Sequence, residues 1–446
     1  MNEIQTAAPP AAPPPAESAA VNTDLAARFR TIRETTSWLA APLSPEDCTV
    51  QAMPDASPTK WHLAHTSWFF ETFVLVPGLA GYSEFHPDFR VLFNSYYNSV
   101  GAQHARFERG LITRPSLAET RAYREHVDAA LLRLLEKGGL SDELAAFVEV
   151  GLHHEQQHQE LIVTDLKALF ARNPLGPVYR PALGTPAPGA APPLGWKRFE
   201  EGVLPIGHDG PGFAFDNEGP RHRVFLESFE IATRPATAGE YLEFMDDGGY
   251  RRPELWLSEG WGQAQANGWQ APLYWLEREG RTGDWHQQTL AGWRPVDPAE
   301  AVCHLSFYEA DAFARWAGAR LPTEAEWEVA ATAELRSGRK EEGNFLEDGR
   351  FHPAAPASLA SPSKGLSQLF GDVWEWTQSP YVGYPGYRPP QGALGEYNGK
   401  FMVNQIVLRG GSCATPRSHI RATYRNFFPT GARWQFSGVR LARDAR

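Results

Sequence analysis

The chain has 446 residues, 42% of them apolar and 21% charged, with a formal charge of −11. These values exclude a wholly disordered chain, and the lack of any ~20-residue apolar run or Lys/Arg cluster argues against membrane helices and nucleic-acid or lipid surfaces. Three cysteines, Cys48, Cys303 and Cys413, are too few for a disulfide framework, so a reducing cytoplasm is expected.

Residues 1–22 are rich in Ala and Pro and read as a flexible tail, without the basic start and apolar core of a secretory signal. A first helix is predicted from Thr23, because Leu25, Phe29, Ile32 and Trp38 share a face and Thr23 or Asp24 can cap it. Ser57-Pro58 opens a second, with Ser as cap and Pro at the first helical position, running to about Val76. The connection that follows, residues 85–98, is too long and aromatic for a passive linker, and its Tyr96 and Tyr97 are candidate proton donors near a metal. A third helix is predicted over about 116–136 and a fourth over about 141–172. Four long helices with unequal connections predict a four-helix bundle over residues 23–172, a fold that builds ligand sites from facing helices.

The fourth helix carries the sharpest pattern, His154-Glu155-Gln156-Gln157-His158. Histidines four apart lie one turn apart on one face, a spacing that suits two ligands of one metal. The string formally matches the zinc-protease pattern, with Glu155 as its base. A second histidine pair, His62 and His65 in the second helix, favours instead a third imidazole and a three-histidine site with open positions. The residues alone do not choose between His62 and His65, and imidazole suits Zn, Fe, Cu and Ni alike.

Residues 173–201 are dense in Pro and Gly and read as a linker. From Gly202 the chain turns to short β-like runs, many turns and scattered Trp, so a second, loop-rich domain is expected over 202–446. Within it, 222–231 alternates like one strand, 307–317 reads as a helix, and Thr323 with Glu326 forms a capping box. The fold class expected for the whole is α+β.

Five strings resemble signatures of the formylglycine-generating-enzyme-like (sulfatase-modifying-factor) domain, a C-type-lectin-like fold of short strands and many loops. They are Glu218-Gly219-Pro220-Arg221-His222, residues 320–328, 371–377 and 409–412, and Gly438-Val439-Arg440-Leu441-Ala442. Residues 23–172 resemble a DinB-like metal-binding bundle. Joined by Trp61-His62-Leu63-Ala64-His65 and the fourth-helix histidines, the chain resembles the ergothioneine-biosynthesis sulfoxide synthases. That resemblance implies a non-haem Fe(II) held by His65, His154 and His158, selecting His65 over His62. It implies an oxidoreductase that consumes dioxygen and joins the thiol of cysteine or γ-glutamylcysteine to imidazole C2 of hercynine (Nα-trimethylhistidine) as a sulfoxide. A DinB-type metal-dependent thiol transferase, or a synthase using histidine or a selenium donor, is the alternative.

By the same resemblance Asn426 is a substrate-binding asparagine. Gln157 would bond the substrate imidazole, and Phe427 would face the quaternary ammonium. Arg90 and Arg433 would hold the carboxylate of the thiol substrate. Tyr381 stands in reserve to Tyr96 and Tyr97. Some members carry Trp-Asp where this chain has Phe427-Phe428, so free cysteine is expected at least as readily as γ-glutamylcysteine. Cys303 and Cys413 lack the cysteine-pair motif of the aerobic formylglycine enzymes and read as packed thiols. A cytoplasmic monomer or weak oligomer is expected, handling small molecules rather than nucleic acid or membrane.

Overall fold

The computed structural model describes residues 25–137, 140–181, 190–336, 343–356 and 365–445. The expected tail, the cap at Thr23 or Asp24, and residues 182–189 of the expected linker lie outside them. The described residues fall into two compact units. One runs up to Tyr96 and takes in Val100–Leu169; the other takes in Tyr97–Ser99 and the chain from Phe170 on. No described helix is long and apolar enough to cross a membrane.

The first unit is helical: α1 (Leu25–Ala40), α2 (Thr59–Phe70), α3 (Leu117–Lys137) and α4 (Asp142–Ala171). Every residue of α2 is buried, which makes it the central rod. Its polar side chains find partners in place; Lys60 Nζ, for example, donates to the Ile112 carbonyl at 2.7 Å. Helix α4 comes close to it at Gly151, where a Cβ would stand 2.4 Å from Phe70 Cε1.

Two details differ from the expected second helix. Pro58 is extended (φ −61°, ψ 145°) and serves as the N-cap, so the first helical residue is Thr59; Ser57 gives its amide to Asp165 instead of capping. The run to Val76 is also not one α-helix, because a π-turn occupies Glu71–Leu75. That widened turn coincides with a buried carboxylate. Glu71 accepts hydrogen bonds from the Tyr82 and Tyr123 hydroxyls, both at 2.6 Å, and from the Phe85 amide.

The second unit is built from short strands. Strands β1 (Trp196–Phe199), β2 (Gly202–Ile206), β3 (His222–Leu226) and β4 (Phe229–Ala232) come first. The run 222–231 is therefore two strands rather than one. Its halves join different sheets: β3 pairs with β2, and β4 pairs with β1. A meander of β5 (Trp275–Glu277), β6 (Trp285–Thr289) and β7 (Gly292–Pro295) follows. Next, β8 (Trp374–Pro380), β9 (Ile406–Arg409), β10 (Asn426–Phe428) and β11 (Ser437–Gly438) form a sheet of order β10-β9-β8-β11. Last, β12 (Ala442–Asp444) returns to the free side of β4.

Helices α5 (Ala238–Asp246), α6 (Ser258–Asn267), α7 (Phe307–Trp316) and α8 (Glu324–Leu335) pack among them. Thr323 caps α8 with Glu326 in the reciprocal pair expected. The signature strings supply buried ion pairs. Arg409 holds Glu328 at 3.0 Å, Arg425 holds Glu324 at 2.9 Å, and Arg440 with Trp327 Nε1 holds Glu375. Burial pushes the Glu375 carboxyl up to about 7, against the pull of Arg440.

Candidate metal centre

Helix α2 contributes His65, and α4 contributes His154 and His158 from successive turns of one face. The three are buried, at 1, 3 and 6% exposure. Their ligand nitrogens all lie within 4.8 Å of one another. His154 Nε2 is 3.2 Å from His65 Nε2 and 3.0 Å from His158 Nε2. Nitrogens about 2.1 Å from one metal stand about 3.0 Å apart at a right angle and about 3.4 Å apart at the tetrahedral angle. The two contacts made by His154 fall in that range, so the three rings are close enough to share one ion.

The protonation state suits the task. Burial pushes the His154 imidazole down to about 3 and holds His65 and His158 well below their ordinary value, so the rings are neutral at physiological pH. His65 Nδ1 lies 2.6 Å from the Phe93 carbonyl, which only accepts, so Nδ1 carries the hydrogen and Nε2 offers a lone pair. Trp61 stacks on His65 at 4.5 Å and 14°, and Trp68 at 5.4 Å and 17°, fixing the ring plane. Three neutral imidazoles without a carboxylate fit a divalent transition metal.

Glu155 is not placed as a protease base. It is fully buried; Arg33 Nη1 and Thr36 Oγ1 donate to it at 2.8 and 2.7 Å, and Arg124 donates to it as well. Arg33 in turn bonds Ser67 and Asp128, and Arg124 bonds Thr66. The carboxylate thus fastens α1, α2, α3 and α4 together immediately beside His154.

Residues 28–162 match the DinB superfamily, and residues 198–445 match the Sulfatase-modifying factor enzyme 1-like domain. The chain is 34% identical over 420 residues to the hercynine oxygenase of Mycolicibacterium smegmatis, covering 88% of this chain and 92% of that one. This chain belongs to the hercynine oxygenase family. The hercynine oxygenase of Mycobacterium tuberculosis is 33% identical over 408 residues, with 88% and 92% covered. A shorter match, 31% over 211 residues, links 40% of the chain to 69% of the inactive C-alpha-formylglycine-generating enzyme 2 of Bos taurus.

The remaining residues expected to act in a hercynine oxygenase have these places. Gln157 is half-buried on α4, between the two histidines of that helix. Arg90 is exposed, with Nε donating to Glu84 at 3.0 Å. Tyr96 is half-buried in the first unit, and Tyr97 is buried and belongs to the second. Asn426 opens the edge strand β10, and its Oδ1 accepts from the Phe427 amide. Phe427 stacks on Tyr381 at 3.9 Å, and the Tyr381 hydroxyl accepts from Asn217 Nδ2 at 3.0 Å. Arg433 is committed inside its unit, bonding Glu309 at 2.6 Å and lying 4.4 Å above the Trp269 ring. Cys48, Cys303 and Cys413 are buried and none is in a disulfide.

Reading the residues alone leaves His62 undecided and does not single out Asp165. His62, the unselected member of its pair, sits behind the trio: its Nδ1 lies 2.7 Å from the outer nitrogen of His158, Nδ1, and its Nε2 lies 3.1 Å from Asp165 Oδ2. Asp165 follows His158 by seven residues, a same-face spacing visible in the sequence.

Proposed function

We propose that this protein is an iron(II)- and dioxygen-dependent sulfoxide synthase that acts on hercynine in ergothioneine biosynthesis. One observation carries the reading: three buried imidazole Nε2 atoms converge in a chain that aligns with 92% of a hercynine oxygenase. The conversion takes a thiol, hercynine and dioxygen to the C2-linked sulfoxide and water. The thiol S–H and imidazole C2–H bonds break, and C–S and S–O bonds form. Dioxygen is the four-electron oxidant; one of its atoms goes to sulfur and the other leaves as water.

Iron(II), when bound by His65, His154 and His158, supplies the redox chemistry with dioxygen and lowers the pKa of the thiol. The protein's residues orient the reactants. Gln157, beside the ligands, is assigned to the substrate imidazole, Asn426 to substrate binding and Phe427 to the ammonium. Arg90, paired with Glu84 at the surface, and Arg433, paired with Glu309, are assigned to the carboxylate of the thiol substrate. Tyr96 or Tyr97 is assigned to proton delivery, with Tyr381 as the third candidate. We place the reaction in the cytoplasm, where the buried thiols stay reduced, and expect a monomer or weak oligomer.

The test is anaerobic loading with Fe(II), then exposure to air with hercynine and either cysteine or γ-glutamylcysteine. Oxygen uptake with sulfoxide product by mass spectrometry is expected, with cysteine at least as good a donor, since Phe428 offers no anion for a glutamyl amine. Transfer of the thiol without oxygen uptake would favour a metal-dependent thiol transferase. Sulfoxide from neither thiol overturns the reading.

A further inference from the structure

A line of buried side chains leads away from the three histidines. His158 Nδ1 lies 2.7 Å from His62 Nδ1, and His62 Nε2 lies 3.1 Å from Asp165 Oδ2. The same Oδ2 accepts the Ser57 amide at 2.8 Å, which anchors the carboxylate to the start of α2. Seven residues along α4 are two turns, so His158 and Asp165 present to one face. On α2, His62 precedes His65 by three residues, so it meets that face one turn further on. Asp165 and His62 touch none of the converging nitrogens, yet both are nearly inaccessible, at 7 and 2% exposure.

We propose that Asp165, acting through His62, is a positioning residue that fixes the tautomer of His158 and so aims its Nε2 lone pair at the metal. The relay requires one ring hydrogen on each of His62 and His158, and with that count only one arrangement is left, whereas a His62 imidazolium would donate from Nδ1 and reverse it. A carboxylate only accepts, so His62 Nε2 carries the hydrogen. His62 Nδ1 is then an acceptor, and across the 2.7 Å contact His158 Nδ1 is the donor. The single ring hydrogen of His158 is thereby spent outward, and Nε2, 3.0 Å from His154 Nε2, keeps its lone pair inward. His65 reaches the same state by a shorter route, through the Phe93 carbonyl. The two orienters differ in kind: the one behind His65 is main chain, and the one behind His158 is a pair of side chains open to substitution.

The proposal rests on the metal reading of the trio, and the test separates the two. Long-range ¹H–¹⁵N correlation of the metal-free, full-length protein labelled with [¹⁵N]histidine should show His62 as the Nε2–H tautomer and His158 as the Nδ1–H tautomer. Finding His158 as Nε2–H overturns the proposal. Co(II) titration followed by calorimetry and visible absorption gives the second readout. His62→Phe should weaken Co(II) binding about 10- to 100-fold and alter the absorption bands. His62→Gln, whose Oε1 can accept from His158 Nδ1, should recover most of the affinity. Asp165→Asn, which can still accept but carries no charge, should fall between. Equal affinity in wild type and His62→Phe, or equal loss in His62→Phe and His62→Gln, overturns the relay. Absence of Co(II) binding by the wild type overturns the metal reading itself.

Discussion

Glu155 and His154 are adjacent in the chain and serve opposite ends. Burial pushes the Glu155 carboxyl up, but Arg124 and Arg33 outweigh it and hold it at about 2, below its ordinary 4.5. A lowered carboxyl contributes stability above its unfolded value and loses it as pH falls through the folded one. The hub should therefore supply roughly 3 kcal/mol that disappears between about pH 4.5 and pH 2. Glu155→Gln should cost about 3–5 kcal/mol in urea unfolding at pH 7, because it strands two buried guanidiniums. The same variant should flatten the acid limb of the stability curve. His154→Ala, by contrast, should keep the helical circular dichroism and lose bound metal, measured by elemental analysis. His154 and His158 were legible from spacing alone. The choice between His62 and His65 was not, since residues three apart on a fully buried helix both face inward, and the rotation of α2 decides which meets the centre.

Helices were legible where amphipathic spacing and caps agree, as at Thr323 and Glu326. Thr323→Ala should cost about 1 kcal/mol of stability in thermal unfolding. Where the structure departs from the expected elements, the cause is a long-range partner. The π-turn at Glu71–Leu75 accompanies a carboxylate whose partners are Tyr82 and Phe85 in the next loop and Tyr123 on α3, 52 residues away. The run 222–231 alternates throughout, yet it divides because β2 claims one half and β1 the other. Gly151 shows the same dependence on a neighbour. Alanine is the better helix former, but its methyl would collide with Phe70. Gly151→Ala should destabilise by about 1–3 kcal/mol and weaken metal binding, as chemical denaturation and Co(II) titration would record, because α2 and α4 hold the ligands between them.

Across the whole molecule, the strings that made the resemblance legible are mostly structural. In the second unit they form the buried pairs Arg409–Glu328 and Arg440–Glu375, whereas in the first they bring the histidines together. Metal present at about 100 times its dissociation constant should add about 2.7 kcal/mol to the state that binds it. Hydrogen exchange should register this as slower opening of α2 and α4, with the Arg440–Glu375 region unchanged. The bond from His65 Nδ1 to the Phe93 carbonyl ties one of the three converging histidines to the backbone of the loop that also carries Arg90 and Tyr96. No side-chain replacement at position 93 deletes an acceptor that belongs to the peptide unit, but any displacement of the loop loosens the ring it steadies. Such a linkage runs both ways. On the proposed function, a thiol substrate held by Arg90 should raise the metal affinity of the trio, read by Co(II) titration, and bound metal should slow hydrogen exchange around residues 85–98.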